Sequence, residues 1–161
     1  MKLDEIMAAL LMLEGKKDKI EHHEEKNVLV HSLQAFKHAK RESIDIELHM
    51  AALFHDIGKA VQNEDHPAIG VKMLEDLGYK NHKVFTIIDN HMRIRWYLSG
   101  RMKKQSKIER LLGNEYFNEI VQLRRFDRIG RDPAIVPEPD MDEIKQLIIA
   151  TSTSPFLSLC D

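Results

Sequence analysis

The sequence predicts an all-α protein, and three observations lead to that prediction. Glycine and proline are sparse, with seven and five among 161 residues, so few positions would interrupt a helix. No long run alternates apolar and polar residues in the way that a half-buried strand would. Apolar residues recur instead every three or four positions, which is the period of an amphipathic helix.

The apolar spacing divides most of the chain into helices, and capping residues mark several of their ends. Asn27 and Asp45 are expected N-caps, Pro67 suits a first helical turn, and Gly58 and Gly78 are expected to end the helices that precede them. The predicted helices cover residues 3–14, 27–40, 45–55, 67–77, 81–92, 106–112, 114–129 and 140–150.

The remaining segments suggest one domain over residues 1–161. We expect residues 93–105 to form a long basic loop, and the prolines after Asp132 to mark a connector. Residues 133–150 would comprise this connector and the last helix, and residues 151–161 a flexible tail. The chain shows no internal repeat, and its length lies in the usual range of about 100–200 residues for one domain.

Composition narrows the class of protein. An apolar fraction of 43% and a charged fraction of 31% fit a soluble globular protein. The single cysteine, Cys160, excludes a disulfide framework and favours a reducing cytoplasm. The first residues lack the positive start and apolar run of a signal peptide, and no stretch of about 18 apolar residues could span a membrane. We therefore expect a cytoplasmic protein with no membrane partner.

Positive charge is concentrated in one segment, although the net charge is −2. Between residues 93 and 110 one acid, Glu109, stands among seven basic residues. That excess could face a polyanion, or it could be a solvated loop and helix face. The basic residues are Arg93, Arg95, Arg101, Lys103, Lys104, Lys107 and Arg110.

The chemistry is expected around His55 and Asp56, at the end of an apolar helix. Residues 53–59 read Leu-Phe-His-Asp-Ile-Gly-Lys. A histidine and an ionisable aspartate are costly to bury in such a setting unless they are paired or bind a metal. Lys59, after the turn at Gly58, supplies a cation that can point back toward them.

Four more polar residues fall on faces predicted to point inward: His31, His66, His91 and Asp127. Each has an ordinary explanation when taken singly; Asp127, for example, could pair with Arg124 or Arg131. Together with His55 and Asp56 they predict a metal site. Imidazole and carboxylate ligands suit Mn, Fe, Co, Ni or Zn better than Mg or Ca. One ion would suffice, and Asp56 could bridge to a second.

These residues resemble the H…HD…D signature of the HD superfamily of metal-dependent phosphohydrolases. The resemblance covers about residues 22–132 and implies a single compact helical domain of the HD type. It also implies which residues bind the metal, since the signature maps onto His31, His55, Asp56 and Asp127. His66 and His91 match the additional histidines of two-metal HD enzymes.

A finer resemblance points to the HD domain of bacterial CCA-adding tRNA nucleotidyltransferases. It is carried by residues 64–70, 90–93 and 124–130. A Gly-Ser followed by an Asp-x-Asp strand, the mark of the transferase half, does not occur in the sequence, so we expect no CCA addition. The resemblance implies hydrolysis of cyclic phosphodiesters and phosphomonoesters of nucleotides or RNA ends.

Metal-dependent phosphate hydrolysis would give individual residues distinct roles. The metal would lower the pKa of a bound water and polarise a phosphoryl oxygen, with Asp56 and Lys59 as catalytic residues. Lys59 would offset charge on the phosphoryl group, and Arg93 or Arg128 could grip another phosphate oxygen or form a surface salt bridge. His22 and His23 could reach the mouth of the site or lie on the surface. The other histidines, His38, His49 and His82, are expected to be surface or structural residues.

The leading functional hypothesis is a metal-dependent phosphodiesterase or phosphomonoesterase acting on nucleotides or RNA ends, such as 2′,3′-cyclic phosphates. One alternative is a small-nucleotide nucleotidase or dinucleoside-polyphosphate hydrolase. Another is a non-catalytic module that binds a nucleotide or RNA. The sequence leaves open the substrate, the metal, the oligomeric state and any partner kinase or transferase.

Overall fold

The computed structural model describes residues 1–16, 27–131 and 137–153. Over these ranges the chain is all-α, which confirms the predicted fold class. Two short 3₁₀ helices, Met12–Gly15 and Ile57–Ala60, accompany the α-helices. The α-helices are α1 (Leu3–Leu11), α2 (Val28–Glu42), α3 (Ile46–Phe54), α4 (His66–Asp76), α5 (His82–Leu98), α6 (Gln105–Leu112), α7 (Phe117–Ile129) and α8 (Met141–Thr151).

Helix α3 lies at the centre of the core. It packs against α2, α5, α7 and α8, and every side chain from Met50 to Phe54 is completely buried. The 3₁₀ helix that follows it packs against α4. The His55-Asp56 pair between these two elements is therefore enclosed by protein, and burying it is costly without partners.

The predicted caps of α2 and α3 are confirmed. The Asn27 side chain accepts hydrogen bonds from the backbone N–H groups of Leu29 and Val30, and that of Asp45 accepts from Glu47 and Leu48. These bonds satisfy N–H groups that have no partner within the helix. The two helices that carry His31 and His55 thus begin where the sequence indicates.

Gly58 does not end α3 as predicted, because the helix stops at Phe54 and a turn intervenes. Its role is to allow close packing. A Cβ atom at Gly58 would lie 2.0 Å from the carbonyl oxygen of His66 and 2.7 Å from the backbone nitrogen of Gly70. Only glycine permits that approach, which brings the turn after Asp56 against the first turns of α4.

The prediction of a loop over residues 93–105 is wrong for its first part, because α5 continues to Leu98. Ile94 is completely buried and Tyr97 packs against the core, so the apolar stripe persists for another turn beyond His91. Helix α7 also begins later than predicted, at Phe117.

The end of α8 and the residues after it, up to Thr153, are hydrogen-bonded to the segment before α5. The Tyr79 hydroxyl lies 2.9 Å from Thr151 Oγ1, and Asn81 Nδ2 donates to the Thr151 carbonyl. The backbone N–H of Thr153 donates to the Lys80 carbonyl. Residues 154–161 lie outside the described residues, as do His22, His23 and residues 132–136 of the connector. Among the described helices, none is both long and apolar enough to cross a membrane.

Candidate metal centre

The structure brings all six predicted ligands together in one buried cluster. Five separate elements supply them: α2, the turn after α3, the start of α4, the middle of α5 and the end of α7. Each side chain is at most a few per cent exposed. The six residues are His31, His55, Asp56, His66, His91 and Asp127.

Asp56 stands at the middle of the cluster and joins two groups of histidines. Its Oδ2 lies 3.4 Å from Nε2 of His55 and 3.8 Å from Nε2 of His31. Its Oδ1 lies 3.1 Å from Nε2 of His66 and 3.7 Å from Nε2 of His91. We call these the first triad (His31, His55, Asp56) and the second triad (Asp56, His66, His91). Each could hold a metal ion.

The orientation of the four imidazole rings fits a metal. Each Nδ1 lies 2.7–2.8 Å from a backbone carbonyl oxygen, to which it donates. In a neutral ring the Nε2 lone pair then points into the cluster. The Nε2 atoms of His31 and His55 lie 3.2 Å apart, and those of His66 and His91 lie 3.1 Å apart. Two facing lone pairs cannot bond each other without a proton or a cation between them, so the donor set suits a cation in each triad.

Asp127 adds a second carboxylate beside the first triad. Its Oδ1 lies 3.0 Å from Nε2 of His31 and 3.9 Å from Nε2 of His55. Arg124 donates to Oδ2 at 2.7 Å and Arg131 to Oδ1 at 2.9 Å. Asp127 therefore pairs with the arginines, as one alternative from the sequence had it, and also contacts His31. These charged hydrogen bonds fix the direction of the carboxylate.

The carboxylates of the cluster are held in the ionised form. Burial acts to raise the pKa of Asp56, but the charges of His55 and Lys59 and the hydrogen bond from His66 hold that pKa well below 3.8. Burial of Asp127 is likewise outweighed by its hydrogen bond with His31 and by neighbouring positive charge, so its pKa is also well below 3.8. Ionised carboxylates are the form that binds metals.

The histidines differ from one another. Burial lowers the pKa of His55, and burial together with the nearby His55 lowers the pKa of His91 to about 3. Burial also disfavours the charged form of His31, but its hydrogen bond with Asp127 and the charges of both aspartates raise its pKa above 6.5. Of these three imidazoles, His31 therefore holds a proton most readily.

Lys59 reaches the cluster through Asp56. Its Nζ lies 2.9 Å from Asp56 Oδ2, and the residue is only 9% exposed. The 3₁₀ turn brings the two side chains to one side of the chain, three residues apart. A largely buried ammonium group at this place can stabilise negative charge that develops beside Asp56.

Neither arginine predicted to bind substrate contacts the cluster. Arg93 Nη1 lies 2.5 Å from Asp89 Oδ2 and 3.1 Å from Asn90 Oδ1, so the salt bridge considered as an alternative is present. Arg93 and His66 nevertheless line the same surface depression. Arg128 is exposed and lines a different groove, beside Arg124.

Other histidines stay outside the cluster, as predicted. Nε2 of His49 lies 2.8 Å from the Ser43 carbonyl oxygen, a structural contact. His82 is exposed and lies near Glu115, and His38 lies beside Arg41. Sequence reasoning did not assign Arg124 and Arg131 a place in the site. Their spacing of three and four residues from Asp127 in a helical segment was the available signal.

Comparison with known proteins agrees with this geometry. The model of the HD domain family matches residues 28–132, well over half of the chain, and the match includes all six clustered residues. The chain therefore belongs to the HD domain family. No individual curated protein matches it. HD domains are generally hydrolases that bind divalent metals, and the His–Asp cluster is consistent with a metal-dependent phosphohydrolase.

Proposed function

We propose that this protein is a metal-dependent phosphohydrolase, a phosphodiesterase or phosphomonoesterase, acting on nucleotides or RNA ends such as 2′,3′-cyclic phosphates. The observation that carries the proposal is the position of Asp56. One buried carboxylate faces two pairs of imidazole nitrogens, with Oδ2 toward His31 and His55 and Oδ1 toward His66 and His91. That arrangement suits two adjacent ions, and two-metal sites recur in enzymes of phosphate chemistry.

The residues that would hold the metal are those of the two triads, with Asp127 beside the first. Nitrogen and oxygen ligands of this mixture favour Mn, Fe, Co, Ni or Zn. A divalent ion held there supplies Lewis acidity toward a phosphoryl oxygen and lowers the pKa of water. The carbonyl oxygens that accept from the four Nδ1 atoms keep the rings in place, so little reorganisation is needed when substrate binds.

Lys59 is proposed to act on the substrate. Phosphoryl transfer places additional negative charge on nonbridging or leaving oxygens, and a preorganised cation stabilises that charge strongly where water is scarce. Lys59 is held for this task by Asp56, because its Nζ already lies against Oδ2 of that residue.

The nucleotide character of the substrate rests on a separate argument. Residues 64–70, 90–93 and 124–130 resemble the HD domain of CCA-adding enzymes, and these blocks contain His66, His91 and Asp127. The family match extends to the HD domain and no further. The resemblance therefore supports the choice of substrate within this proposal only.

A panel of phosphate esters tests the function. Purified protein would be stripped with a chelator and reloaded with Mn, Ni, Co or Mg. It would then be assayed on a chromogenic monoester and diester, nucleoside 2′,3′-cyclic phosphates, nucleotides, dinucleoside polyphosphates and an RNA with a terminal cyclic phosphate. We expect metal-dependent hydrolysis that includes cyclic phosphates. Hydrolysis of nucleotides and dinucleoside polyphosphates alone would favour the small-nucleotide alternative, and no hydrolysis with any metal would favour the binding module.

A further inference from the structure

A basic groove lies beside the candidate metal centre. Its walls are the C-terminal half of α5, the segment between α5 and α6, and α6 itself, and its volume is about 780 Å³. Among the described residues that line it, none is acidic. The cations in its lining are Arg93, Arg101, Lys103, Lys104, Lys107 and Arg110.

Most of these cations have no carboxylate partner among the residues that the structure describes. Arg93 pairs with Asp89, whereas the other five form no ion pair within residues 1–16, 27–131 and 137–153. Cations elsewhere on the surface do have carboxylate partners, for example Lys72 with Asp76 and Lys83 with Asp45. Several like charges around one concave surface produce a positive potential that concentrates anionic ligands.

The groove also contains an exposed aromatic ring. Trp96, the single tryptophan of the sequence, lines it and is 42% exposed. A tryptophan that served only the core would be far more buried. Cations that follow a phosphate backbone, together with an aromatic ring on which a base can stack, are the features by which proteins bind single-stranded nucleic acid.

The groove leads toward the metal centre. A smaller depression of about 380 Å³ lies next to it, and Arg93, Trp96 and Lys107 line both. His66 of the second triad lines this smaller depression. Because the two cavities share these three side chains, a ligand in the groove can extend past Trp96 into the smaller depression, which is also lined by the acidic residues Glu64, Asp65 and Asp89.

We propose that the basic groove binds a single-stranded polynucleotide, with a base on Trp96, the backbone phosphates on the groove cations, and the strand end at the His66 edge of the metal centre. This inference deepens the proposed function, since it names the substrate of the same site. A strand is favoured over a mononucleotide because six cations in 780 Å³ exceed what the phosphates of one nucleotide can engage.

Binding can be measured without turnover, on metal-free protein. The probe is a ten-nucleotide single-stranded RNA of mixed sequence, followed by its fluorescence anisotropy and by the fluorescence of Trp96. The test variant carries Arg101→Gln, Lys103→Gln and Lys104→Gln. The matched control carries Lys2→Gln, Lys72→Gln and Lys80→Gln, which removes the same charge from exposed positions outside the groove.

We expect the groove variant to bind the RNA at least about tenfold more weakly than wild type at moderate salt. Its plot of log affinity against log salt should be flatter by about 2 units, because each phosphate contact on a single strand contributes about 0.7. The control variant should resemble wild type. Equal loss in both variants, or in neither, would overturn the proposal.

The role of Trp96 has its own readouts. RNA should quench the fluorescence of this one tryptophan, and Trp96→Leu should weaken binding while Trp96→Phe retains most of it. A duplex should bind more weakly, since its bases cannot stack on the ring. Two results would overturn the assignment of the groove to a strand. One is that a mononucleotide quenches the fluorescence at the same concentration as RNA does. The other is that anionic lipid vesicles bind as tightly as RNA and need the same three cations.

Hydrolysis separates this inference from the proposed function. If the groove positions the strand, the groove variant should lose far more activity on an RNA with a terminal cyclic phosphate than on bis(p-nitrophenyl) phosphate. A wild-type protein that binds RNA in the groove but hydrolyses neither substrate would contradict the proposed function and leave the groove assignment standing. One that hydrolyses the small ester but shows no RNA binding would contradict the groove alone.

Discussion

The two triads share Asp56 but differ in charge and in access to solvent. The first triad has Asp127 beside it, and Arg124 and Arg131 hold that carboxylate. The second triad has no carboxylate beyond Asp56 among the described ligand groups, and its His66 lines a depression at the surface. We expect the first triad to bind metal more tightly, because Asp127 offers it a further oxygen ligand, and the second triad to face substrate.

The same difference appears in the histidines. The pKa of His31 is raised by its hydrogen bond with Asp127, whereas burial without such a partner lowers the pKa of His91 to about 3. Both are buried residues of the same type, on α2 and α5. At similar burial, a direct hydrogen bond with a carboxylate accompanies the raised pKa of His31, whereas the pKa of His91 is lowered.

The largest effect is expected from Asp56, which both triads share. Asp56→Asn keeps the shape but removes the charge that faces all four imidazoles, so bound metal and hydrolysis should both fall to background. Elemental analysis and an ester assay measure this, with His82→Ala, an exposed histidine outside the cluster, as control. Circular dichroism shows whether Asp56→Asn folds. If it folds poorly, His55→Gln serves as the second variant. Full activity in either folded variant would contradict the metal site.

Lys59→Met tests whether that cation serves the substrate and not the metal. We expect kcat to fall by about 10²–10³, the usual effect of removing one donor that stabilises transition-state charge. Metal content at saturation should not fall, since the lysine pairs with Asp56 and is not itself a metal ligand. Lys72→Met provides the control. Wild-type turnover in Lys59→Met would leave Lys59 with only its structural pairing to Asp56.

Arg124→Gln tests the support of the first triad. Arg124 touches Asp127 and is a positioning residue, so we expect a loss of about 10–100-fold in metal affinity, typical for partners of metal ligands. Added metal should restore kcat, because the ligands remain in place. Arg125→Gln, on the same helix but paired with Glu42, is the matched control. An equal loss of metal affinity in the two variants would show that the arginine charge matters and the contact with Asp127 does not.

His66→Ala separates the triads directly. If each triad holds an ion, metal bound at saturation should approach two per wild-type chain and fall toward one in the variant, which keeps the first triad intact. In titration calorimetry with metal, the variant should lack the weaker of the two binding phases. A wild-type protein that never binds more than one ion would show that His66 and His91 only support the first triad.

The smallest effect concerns the stability of metal-free protein at different pH. Between pH 6.5 and about 3, His91 gains a proton on unfolding, because its folded pKa is about 3. Acidification through that window should therefore lower the melting temperature, and less so in His91→Leu. His31 acts oppositely: its stabilisation is complete below pH 6.5 and is lost as the pH rises through its raised pKa. His31→Leu should accordingly cost more stability at about pH 6 than at about pH 9.

Local sequence determined much of this structure. The period of apolar residues located the eight α-helices of the described residues. The side chains of Asn27 and Asp45 fixed two starts, because a cap is a contact between residues two or three apart. The extension of α5 to Leu98 escaped prediction, since basic residues at 93 and 95 hid the stripe that Ile94 and Tyr97 continue.

The composition of the candidate metal centre was also predictable, and its geometry was not. A histidine or aspartate on an apolar helix face needs a partner, so the sequence indicated all six cluster residues. Two features depend on how five elements, up to 96 residues apart along the chain, pack together. One is which oxygen of Asp56 faces which pair of imidazoles, and the other is whether Arg93 or Arg128 reaches the site. Only their packing, including the contact of Gly58 with the backbone of His66, set those distances, because no local rule relates the orientations of helices that are distant in sequence.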